Sequence, residues 1–143
     1  SGVIRLHVET DGRIRVDMGR PRFEPAALPM AVEGAQKEYA VDVNGRNVIL
    51  GAVSMGNPHA VVRVADIDRA PVESLGRQLE SHRLFPERVN VGFMQVSDPR
   101  HIRLRVFERG VGETLACGTG ACAAVAIGRR WGRLGPAVEA RIR

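Results

Sequence analysis

Hydrophobic and polar positions alternate over much of the chain, which is the pattern of half-buried β-strands. Two alternating stretches, residues 3–18 and 39–52, are each interrupted by an Asp-Gly or Asn-Gly dipeptide and are predicted to form β-hairpins. Further strands are predicted at residues 60–64, 89–96, 102–107 and 138–142. The proline-rich residues 21–29 between the two hairpins are predicted to form a loop or linker.

After Pro71 the hydrophobic period changes from that of a strand to that of a helix. Leu75 and Leu79 stand one helical turn apart, which predicts a helix over residues 71–82. Proline is favoured in the first turn of a helix, and Asp68 lies upstream as a candidate N-cap. These features predict a surface helix with one apolar face.

The residues after Cys117 predict a second helix of a different kind. Residues 121–127 are apolar around the whole helix circumference, and Gly132, Gly135 and Pro136 end the helix. A helix that is apolar on all sides is buried on all sides. Together with the hairpins, it predicts an α+β fold in which a curved, mostly antiparallel sheet or open barrel is wrapped around one buried central helix.

Composition and charge exclude several classes of protein. The 143 residues suit one domain, and the 4% aromatic content implies an aliphatic core. No apolar run approaches the roughly 18 residues of a membrane span, and the chain does not open with a signal-peptide pattern, so a cytoplasmic protein is expected. The net charge of +5 raises nucleic acid as a partner. The arginines are scattered among carboxylates, however, without stacking aromatics, so neither nucleic acid nor membrane is expected as a partner.

Neither a pyridoxal site nor a metal site is predicted, and no cofactor is expected. Lys37, the only lysine, lies in a polar stretch, whereas a Schiff-base lysine must be buried. A zinc site would combine Cys117 and Cys122 with one or two histidines. Two cysteines five positions apart on a helix do not direct both sulfurs at one ion, and no Cys-x2-Cys motif is present.

The densest group of chemically informative residues is the segment 108–121. Cys117 stands at the predicted start of the buried helix and is followed by Gly-Thr-Gly. A helix start favours anions and can lower the pKa of a thiol below its usual value of about 8.5. This predicts a thiolate beside a carboxylate-sized anion site. The alternative, in which Cys117 is a small buried residue and the glycines serve packing, stays open on these grounds.

Cys122 is interpreted differently from Cys117. It lies about 140° around the helix and roughly 7.5 Å further along it. That separation exceeds the usual Cα distance of a disulfide, so the two cysteines are not expected to form a bond. Cys122 is therefore predicted to fill the core.

Other candidate polar residues are less specific when taken singly. Asn57 and His59 lie in a Gly-Asn-Pro-His turn, and Asn90 precedes Val-Gly-Phe. Glu108 and Arg109 end a predicted strand just before the glycine-rich segment, where a charged pair could face a zwitterion. Turn residues and a solvated strand end remain alternatives for these positions.

Taken together and in this order, three motifs closely resemble the diaminopimelate epimerase family. They are Gly-Asn-Pro-His at residues 56–59, Asn-Val-Gly-Phe at 90–93, and Glu-Arg-Gly-x-Gly-Glu-Thr-x-Ala-Cys-Gly-Thr-Gly-Ala-Cys-Ala at 108–123. The resemblance extends over essentially the whole chain but over only about half of the family's length. It implies that residues 1–143 are a truncated second, C-terminal domain, with residues 1–30 as an interdomain hairpin and linker.

The resemblance also implies a reaction and roles for individual residues. Family members interconvert LL- and meso-diaminopimelate without pyridoxal phosphate, for lysine and peptidoglycan precursor biosynthesis. Cys117 would be one of two catalytic cysteines that remove and return the α-proton on opposite faces. Six residues would bind the substrate: Asn57, Asn90, Glu108, Arg109, Gly118 and Thr119.

Within that set, Gly118 and Thr119 would hold the α-carboxylate and Glu108 the distal ammonium group. The other three would bind the distal carboxylate. His59, together with Glu108, would adjust the pKa values of the cysteines. All these roles follow from the resemblance and not from spacing alone.

The expected partners are diaminopimelate, an N-terminal domain that carries the second cysteine, and a second copy of the chain. This half alone is expected to be inactive. One alternative is another cofactor-independent racemase or isomerase of the same fold, which would keep the Cys-Gly-Thr-Gly helix but change the distal ligands. The other alternative is a non-catalytic binding module, which would need no activated thiol.

Overall fold

The computed structural model describes residues 2–11, 13–16, 19–115 and 118–142. These residues form a mixed α+β fold with an open eight-stranded sheet and two α-helices. Cys117 and the glycine of the predicted Asp11-Gly12 turn lie outside the described residues. Among the described residues, no helix combines the length and the apolar character needed to cross a membrane.

The strands are β1 (Gly2–His7), β2 (Tyr39–Val43), β3 (Arg46–Ser54), β4 (Pro58–Arg63), β5 (Asn90–Asp98), β6 (His101–Glu108), β7 (Gly112–Thr114) and β8 (Ala137–Ile142). The helices are α1 (Val72–Glu80) and α2 (Gly118–Arg130). The strand order is β1-β8-β6-β5-β4-β3-β2, and β7 pairs with the end of β6. The β4–β5 and β6–β8 pairs are parallel, and the other pairs are antiparallel.

Each face of the sheet carries its own hydrophobic core, one containing α1 and the other containing α2. Because side chains alternate along a strand, the central strands contribute to both cores. In β3, Leu50 and Ala52 join the α1 core, whereas Val53 joins the α2 core. This alternation explains why long runs of β3, β4 and β5 are buried on both faces.

Helix α2 is buried from Gly120 to Gly128 and contacts β1, β3, β4, β5, β6 and β8. Small residues allow the strands to come close. A Cβ at Gly51 of β3 would lie 2.7 Å from a side-chain carbon of Ile127, so only glycine fits there without a shift. The close packing follows from the methyl-sized side chains of the helix.

The first predicted hairpin is formed only near its turn. β1 pairs with β8, and the return arm is joined to the chain after β1 by a single bridge between Val8 and Ile14, with backbone hydrogen bonds on either side. Val16 is 42% exposed, so the return arm buries little apolar surface beyond Ile14. The arm therefore contributes no regular strand among the described residues.

Two further sequence predictions need correction. Asp68 does not cap α1, because it lies within a 3₁₀ turn (Ile67–Arg69) whose own cap is Asp66. Helix α1 instead follows Pro71, which makes no side-chain capping bond. The strand predicted at residues 60–64 begins two residues earlier, at Pro58, and the strand β7 was not predicted at all.

Candidate functional site

A tight turn between β3 and β4 places the first candidate residues. Gly56 adopts φ +94°, a conformation that favours glycine, and Asn57 follows it before β4 begins at Pro58. The motif at residues 56–59 was predicted as a turn, but His59 already lies within β4. There it pairs with Asn90 of the parallel neighbour β5. Two polar side chains are thus brought together at the start of adjacent strands.

These side chains lie on the face of the sheet that carries α2. On the same three strands, the residues Val61, Met94 and Val106 lie an even number of positions from His59, Asn90 and Glu108, and all three belong to the α2 core. Because side chains alternate, His59, Asn90 and Glu108 lie on that face too. β4 and β5 begin there and β6 ends there, so the three residues share one end of the sheet.

Asn57 connects this end of the sheet to the first turn of α2. Its Nδ2 donates to Thr119 Oγ1 at 3.4 Å, and its Oδ1 lies 3.2 Å from Nε2 of His59. The three side chains come from a loop, a helix start and a strand. The contact with Thr119 therefore fixes where α2 begins relative to β4.

Asn90 makes a second connection, from β4 to the end of β6. Its Nδ2 donates to the carbonyl of Pro58 at 2.9 Å, and its Oδ1 accepts from the backbone N–H of Arg109 at 2.8 Å. Asn90 is buried, so both bonds are made away from water. The side chain of Arg109 is exposed and donates to the carbonyl of Glu87 at 3.2 Å.

His59 is an uncharged member of the site at neutral pH. Only 1% of the residue is exposed, and this burial, with a smaller effect from the positive charge of Arg109, lowers its pKa to about 4. An amide oxygen can only accept a hydrogen bond, so the neutral ring of His59 carries its hydrogen on Nε2. His59 therefore donates to Asn57 Oδ1.

The structure thus connects five of the predicted site residues by hydrogen bonds: Asn57, His59, Asn90, Arg109 and Thr119. Glu108, half-buried, is the last residue of β6, and Gly118 is the first residue of α2. Both adjoin the connected group through their chain neighbours. The remaining predicted residue, Cys117, lies outside the described residues.

Three charged residues beside the site were not identified from the sequence. Glu80, at the end of α1, accepts from the N–H of Gly110 at 2.5 Å. Arg105 and Glu113 form an ion pair with two hydrogen bonds. Alternating arginines in β6 indicate a polar strand face, but no local pattern shows their partners.

Within the part of the chain that the structure describes, no group of three or more histidine, cysteine, aspartate or glutamate residues is arranged to hold a metal ion. The site is instead built from amides, an imidazole, a hydroxyl and a guanidinium. Such groups are suited to binding a polar organic molecule by hydrogen bonds.

Comparison with known proteins identifies the family. The family model described as diaminopimelate epimerase matches residues 51–142. A diaminopimelate epimerase of Alkalilimnicola ehrlichii is 60% identical over 139 residues, which are 97% of this chain and 50% of the relative. A diaminopimelate epimerase of Psychrobacter arcticus is 59% identical over 144 residues, which cover 99% of this chain and 49% of the relative. A diaminopimelate epimerase of Pseudomonas aeruginosa PAO1 is 56% identical over 138 residues, which cover 96% of this chain and 50% of the relative.

The chain therefore spans about half the length of the curated relatives that it matches. The family match includes the turn before β4, the start of β5 and the whole segment from β6 to β8, so it contains every residue of the connected group. This chain belongs to the diaminopimelate epimerase family.

Proposed function

We propose that this chain is the second half of a cofactor-independent epimerase that interconverts LL- and meso-diaminopimelate. The observation that carries the proposal is the hydrogen-bonded group that joins Asn57, His59 and Thr119 at the start of α2. That helix start directly follows Cys117 in the sequence. Membership of the family supports the same reaction.

The reaction moves one proton off the α-carbon and another onto it. In the proposed mechanism Cys117 acts on one face of the α-carbon, either as a thiolate that removes the proton or as a thiol that supplies one. A cysteine of the other half acts on the opposite face. When one thiolate accepts the α-proton, its S–H bond forms as the C–H bond breaks, and the electron pair is left on the α-carbon. The second thiol then protonates that carbanion, so inversion needs no redox cofactor.

The start of α2 is suited to hold the α-carboxylate of the substrate. Gly118 and Thr119 lie in the first turn, where the helix dipole and the orientation of the N–H groups favour an anion. Carbanion charge is shared with this carboxylate in the transition state. Preorganised donors at this position would therefore stabilise the transition state more than the ground state.

The far end of the substrate would be bound by polar groups at the end of β6. We assign the exposed guanidinium of Arg109, with Asn57, to the distal carboxylate and Glu108 to the distal ammonium group. Asn90 is buried and bonded to the backbone of Arg109. Its contribution to the distal carboxylate is therefore mainly to hold Arg109 in place.

His59 would influence the cysteine through Asn57 and not through a positive charge. Its pKa of about 4 leaves the ring neutral at the pH at which thiols ionise. The ring orients the amide of Asn57 by donating to its oxygen, and that amide in turn donates to Thr119. We propose that this relay of hydrogen bonds positions the helix start next to Cys117.

The proposal extends to the arrangement of the whole protein. We infer that the sheet curves around α2, because that helix contacts six strands and is buried from Gly120 to Gly128. Residues 1–30 are proposed as a hairpin and linker near the other domain, attached to this domain through the pairing of β1 with β8 and through the buried Leu28 and Met30. The second cysteine and the other wall of the substrate cleft would come from the other half, and the product would serve lysine and peptidoglycan precursor synthesis.

Exchange of the α-proton tests the proposal. A protein of the relatives' full length is incubated with LL-diaminopimelate in D₂O, and loss of the α-proton signal is followed by NMR together with formation of the meso isomer. We expect exchange with the wild-type protein and none with Cys117→Ala. Lysine, which lacks the distal carboxylate, should not exchange.

Cys122→Ala is the matched control, because it removes the other thiol of the same helix from the core. It should retain exchange at a rate close to that of the wild-type protein. Exchange that survives Cys117→Ala, or an equal loss in both variants, would refute the assignment of Cys117.

A further inference from the structure

The ion pair between Arg105 and Glu113 has features that distinguish it from the surface ion pairs. Arg105 Nε donates to one carboxylate oxygen of Glu113 at 2.7 Å, and Nη2 donates to the other at 2.8 Å. The side chains are only 12% and 23% exposed. A paired, charge-assisted contact of this kind is strong and has a defined geometry, especially where water is partly excluded.

Arg105 also anchors the pair to a third element. Its Nη1 donates to the carbonyl of Ile67 at 3.1 Å, in the 3₁₀ turn that precedes α1. The guanidinium therefore connects β6, β7 and this turn at one point. A lysine could not make these three contacts with the same geometry.

The strand that the pair holds is paired with β6 over three residues but buries little apolar surface. β7 contains three residues, and all three are only half-buried. On either side of it lie Val111 and Leu115, which are 73% and 60% exposed. Apolar burial therefore contributes little to the position of this strand, and polar contacts must fix it.

The position of β7 matters because it separates the two parts of the proposed site. Arg109 lies before β7, and the start of α2 lies after it, so β7 sets the path of the chain between them. The preceding turn is fixed independently, because Glu80 accepts from the N–H of Gly110. The Arg105–Glu113 pair fixes β7 itself, through the middle one of its three residues.

We propose that Arg105 and Glu113 are positioning residues for the epimerase reaction, which hold β7 and thereby set where Cys117 and the start of α2 lie. This inference rests on the proposed function. Neither residue is assigned a contact with the substrate. Their effect would reach the start of α2 along the chain that follows β7.

A neighbouring ion pair provides a matched control. Arg103 lies two residues earlier on the same face of β6 and also donates twice to one carboxylate, that of Asp68, with both distances 3.0 Å. This pair is more exposed, at 34% and 60%, and it joins β6 to the 3₁₀ turn without involving β7. It therefore shares the chemistry of the Arg105–Glu113 pair but not its connection to the site.

Kinetics of full-length variants test the proposal first. Glu113→Gln and Arg105→Gln are each expected to lower kcat by roughly 10²-fold, the loss that a small displacement of reacting groups can cause. KM should change less than kcat, since the proposed distal ligands lie before β7 and only the α-carboxylate contact would be displaced. The double variant should lose no more than either single variant, because the two side chains act as a unit. Arg103→Gln is the control, because the charge of Asp68 also acts on Arg105, and it should retain wild-type kcat.

Alkylation of Cys117 provides a readout that does not need the substrate. Iodoacetamide modification is followed across pH by peptide mass, and circular dichroism confirms that each variant is folded. In Glu113→Gln the apparent pKa of Cys117 should move toward the free value of about 8.5, whereas in Arg103→Gln it should stay at the wild-type value. Arg105→Lys keeps the charge and gives a milder variant, in which we expect an intermediate shift, should the glutamine variants not fold.

Two results would overturn the inference: wild-type kcat and wild-type alkylation in Glu113→Gln, or equal losses in the Arg103→Gln control. If the wild-type protein does not exchange diaminopimelate at all, the proposed function fails. The alkylation comparison then still decides whether the ion pair sets the environment of Cys117.

Discussion

His59 combines almost complete burial with an amide partner, and its charge has a consequence for stability. Its pKa is about 4 in the folded protein, against an ordinary value of 6.5. Between these values the unfolded chain binds a proton that the folded chain does not. The contribution to stability is therefore complete above pH 6.5 and is lost as the pH falls toward 4.

We expect this single group to account for a loss of about 3 kcal/mol in the free energy of unfolding between pH 6.5 and 4. Urea unfolding of the wild-type protein and of His59→Gln, measured across that range, isolates the contribution. The variant should show a smaller dependence on pH. Parallel curves for wild type and His59→Gln would contradict the expectation.

The sequence motifs supplied the candidate site residues but not the bonds between them. Asn57, His59 and Asn90 were identified as candidates, and the structure connects each of them to others. The bond from Asn90 to the Pro58 carbonyl depends on the parallel pairing of β4 with β5, and it joins residues that are 32 positions apart in the chain. Local sequence has no information on such a pairing. The partner of Arg105 was missed for a different reason: Glu113 is only eight residues away, but the short strand β7 that carries it has no hydrophobic pattern to reveal it.

In helix α1, a glycine marks the closest approach to the sheet. A Cβ at Gly76 would lie 2.7 Å from Cγ and 2.8 Å from Cβ of Phe107 in β6. Both atoms are near the backbone of Phe107, so the contact cannot be relieved by rotating the end of a side chain. Glu108 of the proposed site follows Phe107 directly.

Gly76→Ala should therefore destabilise the protein, although alanine is the better helix former by about 1 kcal/mol. Overpacking in a core typically costs about 1–3 kcal/mol, so the net effect should be unfavourable. Ser74→Ala, at an exposed position of the same helix, should be neutral or slightly stabilising. The free energy of unfolding in urea measures both. A stabilised Gly76→Ala would show that the sheet yields at Phe107.

Elements defined by local signals were predicted well, and elements defined by distant partners were not. The hairpin of β2 and β3 turns at Asn44 and Gly45, which have φ +53° and +82°, as the Asn-Gly dipeptide predicts. β1 was assigned to the wrong partner because its true partner, β8, is at the other end of the chain. β7 was missed because three half-buried residues have no hydrophobic period to detect.

The two-cysteine mechanism predicts that this chain cannot catalyse the reaction alone. The purified 143-residue chain should show no exchange of the diaminopimelate α-proton in D₂O, because the second face of the α-carbon would have no acid or base. A protein of full relative length serves as the positive control. Turnover by the isolated chain would disprove the two-domain mechanism.

Alkylation shows whether an inactive chain is nevertheless folded. Cys122 is fully buried in the α2 core, so iodoacetamide should not modify it until the chain is unfolded. Cys117 should react first, as expected for a thiol at a helix start. Inactivity together with rapid modification of Cys122 would indicate misfolding and not a missing partner.

The pairing of β1 with β8 sets how this domain can be joined to its surroundings. Gly2 lies opposite Ile142, so both ends of the described chain leave the sheet at one corner. Any polypeptide attached before and after them would be tethered by two antiparallel strands side by side. Because β8 is parallel to β6, this corner lies toward the end of the sheet where β6 carries Glu108 of the proposed site. A domain attached through both strands would therefore be anchored on the side of the sheet that carries the proposed site.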